Sequence, residues 1–179
     1  MAKSKHTAPG WASFVNPSEE TFRLLRYGGG GATQLIEVGT AWDRVDAGWE
    51  AVIIAPLERG LHTLDALALP LDGGHPVIAD HLRSELILLV DTGTVSSVLD
   101  YSVPGVRGLT AGSFLLVPRG ACGAYPAAWL SRPTHRTARY AEPLQLCEAV
   151  LSADQRRTEH GLADRGTEVF ATFKVARRC

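Results

Sequence analysis

Uninterrupted aliphatic stretches of strand length, set among turn residues and proline-headed helical patterns, most constrain this 179-residue chain. Ala51–Ala55 and Leu86–Val90 are the clearest. Neither approaches the roughly 20 consecutive apolar residues of a membrane-crossing helix. Runs rich in Ile, Val and Trp predict strands at Thr33–Val38, Trp49–Ala55 and Glu85–Val90. Pro76–Ala79 pairs with Glu85–Val90 around Asp80–Arg83, and Ser113–Val117 and Ala127–Ser131 add two more strands. Ala41–Val45 is a further short candidate, and Thr167–Val175 a terminal strand or arm.

Three segments carry helical signals. Asn16-Pro17-Ser18-Glu19 reads as an N-cap, a first-turn proline and a glutamate reaching back, opening a helix over 17–27 that carries Phe22 and Leu25. Pro56 opens a second over 56–68, where Leu57, Leu61, Leu64 and Ala68 recur at helical spacing before Pro70. Pro143 heads a third over 143–157, with Leu144, Cys147, Val150 and Leu151 on one face. Strands dominate the middle and helices are interspersed. This predicts an α+β fold: one domain with a mostly antiparallel or mixed sheet flanked by about three helices. Residues 1–14 read as a disordered tail and 15–179 as that domain, a length able to bury roughly 70% of its unfolded surface.

Hydrophobic residues make up 45% and charged residues 21%, an ordinary globular balance, and a net charge of −1 gives no global pull toward nucleic acid or membrane. The basic N-terminal residues precede no apolar stretch, so no signal peptide is predicted. Cys122, Cys147 and Cys179 are odd in number and widely spaced, neither a disulfide framework nor a zinc pattern. Reduced thiols in a cytoplasmic protein are the expectation.

Charge is segregated along the chain. Residues 35–100 hold eleven acids against three bases, a balance of −8. Residues 101–141 hold no acid but carry Arg107, Arg119, Arg132, Arg136 and Arg139, with His135 among them. Arginine forks suit phosphate and other anions, and Trp129, Tyr125 and Tyr140 in the same stretch suit base stacking. The alternative is that the acidic and basic halves neutralise each other, inside the fold or across a homodimer.

Other constellations point less far. Gly28–Gly31 follows a helix rather than a strand and lacks Gly-Lys-Ser/Thr, so it reads as a connector. His75, Asp80 and His81 are the only local cluster of metal-ligand types, and turn roles account for them. Cys122 sits in a glycine-flanked turn that matches no nucleophile motif. His62 and Asp65 share a helix face. Trp11, Trp42 and Trp49 read as core or interface residues. No catalytic residue, metal or cofactor is predicted.

The order of segments carries one resemblance. Val38–Trp42, Trp49–Pro56 and the following helix resemble the opening of small bacterial proteins related to the bifunctional DNA primase/polymerase domain. Gly74–Asp80, Glu85–Val90, Gly93-Thr94 and Pro104–Pro118 continue the pattern, over roughly 33–133. Active members hold divalent metal with paired carboxylates on one strand and contact phosphates with a histidine on a neighbouring strand. Here Ala51–Ala55 has no acid, and Glu85-Leu86 stand where that histidine is expected. The resemblance therefore implies the fold with a degenerate site and no polymerase chemistry. The expected partners are nucleic acid, a nucleotide or a protein, with a homodimer as one form and no membrane. A self-associating regulatory protein is the alternative. Another is a small biosynthetic enzyme assembling a site from His75, His81, His135 and Cys122.

Overall fold

The structure, a computed structural model, describes residues 10–14, 18–27, 32–43, 45–71, 74–99, 103–133 and 140–156. It is built on two strands, β2 (Trp49–Ile54) and β4 (Glu85–Asp91), preceded by β1 (Thr33–Glu37) and separated by β3 (Val77–Asp80). With β5 (Val106–Leu109), β7 (Gly123–Ala124) and β8 (Ala127–Ser131), they form a six-stranded sheet in the order β5-β2-β4-β3-β8-β7. β1 and β6 (Phe114–Pro118) form a second, two-stranded sheet. Every ladder is antiparallel, and with the helices this is an α+β single domain.

β2 is buried along its whole length, and β4 from Leu86 to Val90. Neither of their faces meets water, so period-two alternation has no solvent side to serve, and the strands read as unbroken aliphatic runs. The register Ile54↔Leu86 through Trp49↔Asp91 turns Val52, Ile54, Leu86, Leu88 and Val90 to one face and Trp49, Ala51, Ile53, Ile87 and Leu89 to the other. The first face packs against α2 (Leu57–Ala66), α3 (Thr94–Leu99) and a helix α4 over 143–156, through Leu61, Leu64, Val95, Val98, Leu146 and Val150. The second packs against the β1–β6 sheet and a tight hairpin, through Val38, Trp42, Val45, Leu115 and Val117. The result is three layers: helices, a large sheet and a small one.

The expected helices are present with adjusted ends. α1 spans Glu19–Tyr27 and is capped by Ser18, whose Oγ accepts the Thr21 N–H at 3.2 Å. Asn16 and Pro17, read as its opening, lie outside the described residues. Ala41–Val45 is reduced to a single bridge between Trp42 and Val45. Within the stretch read as a tail, Trp11–Phe14 form a 3-10 turn against α2. Trp11 is buried, its amide donates to Asp65 Oδ1 and its indole Nε1 to Leu69 O, both at 2.7 Å. Residues 1–9, Gly28–Gly31 and Thr167–Val175 lie outside the described residues.

α3, β5 and the two-residue β7 escape the sequence patterns, the first two because long-range contacts define them. The Val95 N–H at the start of α3 donates to Glu50 Oε2 on β2 at 2.8 Å, a cap supplied from 45 residues away. β5 pairs Gly108 with Val52, and a Cβ on Gly108 would overlap the Val95 side chain. Arg59 joins the helical layer together. Its Nε and Nη2 fork onto Asp154 of α4 at 2.7 and 2.6 Å, and its Nη1 donates to the carbonyls of Pro104 and Ala55. Gly105 holds φ +74° with Arg59 Nη1 close beside it, so the loop before β5 requires glycine there. No helix among the described residues is long and apolar enough to cross a membrane.

Gly60 lets α2 lie close on β4, since an added Cβ would collide with Leu86 Cβ. Alanine is the better helix former by about 1 kcal/mol, yet overpacking a tight contact costs about 1–3 kcal/mol. Gly60→Ala is therefore expected to be net destabilising. Urea unfolding should show a lower midpoint with an unchanged slope.

Candidate functional site

The hairpin packed on the second face of the large sheet organises the residues of interest. Trp42 and Val45 exchange backbone hydrogen bonds of 2.9 and 2.8 Å. The tight turn places Asp43 at φ +48°, a conformation that aspartate tolerates better than most residues. The Trp42 ring then lies flat on Trp129 of β8, with centroids 5.2 Å apart and planes 4° apart, and tilts against Trp49 at 5.8 Å. Trp42 Nε1 donates to Pro118 O at 3.2 Å, and Trp49 Nε1 to Thr40 O at 2.8 Å. Trp129 Nε1 is buried with no hydrogen-bond partner among the described residues.

Two of the predicted arginines adjoin partners of this stack. Arg132 places Nε at 3.1 Å and Nη2 at 2.6 Å from Asp43 Oδ2, in the turn next to Trp42. Arg119 follows Pro118, whose carbonyl holds Trp42, and its amide donates to Ala32 O at 2.6 Å. Arg119 is exposed and forms no ion pair with a described residue. Arg107 stands elsewhere, on β5 at the far edge of the sheet, where Nη2 meets Glu85 Oε2 at 2.7 Å. His135, Arg136 and Arg139 lie outside the described residues, in the segment that follows Pro133.

The arginine segment thus partly neutralises the acidic one: Arg107 and Arg132 each hold a carboxylate from residues 35–100. Trp129, read as a stacking surface for bases, uses one ring face on Trp42. Tyr125 stacks instead on His81, at 5.5 Å and 25°. Tyr140 packs on the second core, where burial, then Asp91 and Asp46, raise its hydroxyl pKa. Sequence patterns missed Asp43 and the Trp42–Trp129 contact. The available signal was an acid in a two-residue turn between Trp42 and Val45.

The other candidate groups serve the fold. Asp80 Oδ1 accepts the Leu82 and Arg83 amides and Oδ2 the Arg83 guanidinium, all at 2.9 Å, so this buried carboxylate shapes the β3–β4 turn. His75 is buried just ahead of β3. Among the described residues, no three His, Cys, Asp or Glu side chains gather to hold a metal ion. Cys122 is exposed in the turn before β7, and its carbonyl accepts the Trp129 amide at 3.0 Å. Asp65 binds Trp11, while His62 lies 3.9 Å from Glu58. Comparison of the chain with protein-family models, curated proteins and solved structures finds no match.

Burial lowers the His81 pKa, with Asp80 opposing the effect. A histidine harder to protonate when folded binds fewer protons than in the unfolded chain, so stability falls as pH drops through the ordinary histidine value of about 6.5. The melting temperature should decline between neutral pH and mildly acidic pH. His81→Phe, which keeps a ring against Tyr125, should flatten that decline.

Proposed function

We propose that the chain is a primase/polymerase-like α+β domain that acts by binding a phosphate-bearing ligand, nucleic acid or nucleotide, rather than by phosphoryl transfer. The observation that carries this reading is that Arg132 pairs with Asp43 beside Trp42 and Arg119 follows Pro118, whose carbonyl holds Trp42, so both adjoin partners of the Trp42–Trp129 stack, with Arg136 and Arg139 close behind Arg132 in sequence. Arg119 is exposed and pairs with no carboxylate of a described residue. Arg132 commits Nε and Nη2 to one oxygen of Asp43, and its Nη1 makes no hydrogen bond to a described residue. Flat guanidinium groups suit a backbone phosphate, and an aromatic ring suits an adjacent base.

The engagement of the sheet's carboxylates supports the non-catalytic half of the reading. Two-metal phosphoryl transfer needs carboxylates that converge on one point and are free to ligate. Glu50 instead caps α3, Asp80 closes its turn, and Glu85 pairs with Arg107. These roles aim the three carboxylates at different partners, and among the described residues no three His, Cys, Asp or Glu side chains gather to hold a metal ion.

Anisotropy of labelled single-stranded and duplex oligonucleotides, alongside a free nucleotide, tests the proposal. Binding is expected to weaken as salt rises. Arg119→Ala combined with Arg132→Ala should lower affinity and reduce the salt slope by about 1 per phosphate contact removed. Changing Arg136 and Arg139 to Ala should add to the loss. No binding of oligonucleotide or nucleotide at low salt overturns the reading.

A further inference from the structure

Arg59 and Arg132 both fork onto a carboxylate, and they do so differently. Arg59 is nearly buried, spreads Nε and Nη2 over both oxygens of Asp154, and gives Nη1 to two backbone carbonyls. That pair is part of the framework. Arg132 brings Nε and Nη2 to the same oxygen, Asp43 Oδ2, while its Nη1 and the Asp43 Oδ1 make no hydrogen bond to a described residue. Both side chains of this second pair are partly open to solvent, 28% for Arg132 and 27% for Asp43, against 7% for Arg59. Asp43 does not depend on Arg132 for its place. Its turn is closed by the two backbone hydrogen bonds between Trp42 and Val45, and the Trp42 indole is tied to Pro118 O. The backbone therefore holds the carboxylate beside Arg132, and the pair can open without unpacking the hairpin.

We infer that Asp43 is a built-in competitor for the ligand at Arg132: binding exchanges the carboxylate oxygen for phosphate oxygens on the same Nε and Nη2 donors. The inference rests on the phosphate-binding reading above and adds how that site is restrained. An ion pair this open to water is worth little, so it yields to a ligand that fits the fork better. A phosphate offers one oxygen to each of two parallel N–H donors, the bidentate match that the guanidinium geometry favours. The single Asp43 oxygen does not supply that match. Once displaced, the carboxylate stays close, because its turn is fixed, and it repels the bound anion. Asp43 thus lowers affinity twice, by holding the donors and by its charge. Arg119, which has no ion pair with a described residue, needs no such exchange.

Anisotropy of a labelled single-stranded oligonucleotide at low salt, titrated with wild-type chain and Asp43 variants, tests the exchange. Asp43→Asn removes the charge and keeps a residue that tolerates positive φ. Asp43→Gly removes the acceptor as well, in a conformation glycine adopts freely. The first should tighten binding about three-fold and the second about five-fold, the scale of an exposed ion pair. Asp46→Asn removes the same charge from a side chain that does not pair with Arg132, and should change affinity less than about two-fold. In the Arg132→Ala background, Asp43→Asn should give no more than that smaller gain, because the contested donors are gone. Melting followed by circular dichroism should place both Asp43 variants close to wild type; a large loss of stability in both makes the pair a structural tie and overturns the inference. Equal gains from Asp43→Asn and Asp46→Asn, or a full gain that survives Arg132→Ala, also overturn it. Binding that is weakened by Arg119→Ala with Arg132→Ala, but tightened by neither Asp43 variant, sinks the exchange and leaves phosphate binding standing. No binding by wild type or any variant sinks both.

Discussion

Pairing of β2 with β4, buried on both faces, is the constraint on which the other layers depend. Each fully buried Val, Leu or Ile contributes about 1.5–3 kcal/mol, and this pair holds the largest uninterrupted set in the chain. One register decides which side chains meet the helices and which meet the small sheet. A one-residue slip would exchange the two sets, sending Trp49 into the helical layer. α2, α3 and α4 therefore belong on one side, and the β1–β6 sheet and tryptophan hairpin on the other.

Polar contacts then fix details that apolar burial leaves open. Arg59 is nearly buried, and its forked contact with Asp154 ties α4 to α2 and to the loop before β5. The Arg107–Glu85 and Arg132–Asp43 pairs are more exposed, and such pairs are typically worth 0–1 kcal/mol. Their effect is on geometry and local potential more than on stability. They reduce the positive character of the arginine segment at two points and leave Arg119 as its clearest exposed charge among the described residues.

The strands and helices with strong local signals were legible in the sequence. Leu57, Leu61 and Leu64 recur at helical spacing on α2, and the aliphatic runs of β2 and β4 are bounded by turn residues. α3 and β5 were not legible, because one starts on a carboxylate from β2 and the other contains a glycine whose purpose is to admit Val95. Trp11 was placed in a tail because the docking surface that buries it, α2 and Leu69, is more than 50 residues away. The candidate site was half legible. A concentration of arginines and aromatics is visible as composition, but the pairing of Arg132 with Asp43 beside Trp42, and the separation of Arg107 on the far edge, depend on the sheet order.

The sequence by itself determined the α+β class, the main helices and central strands, and the segregation of acids from bases, because each is a local pattern of side-chain chemistry along the chain. Tertiary structure alone decided which charges neutralise each other and which tryptophans stack. Those outcomes depend on residues brought together across long separations, as Asp43 and Arg132 are across 89 positions. No short-range pattern encodes such a contact, since it exists only once the β2–β4 register has set the position of every layer around it.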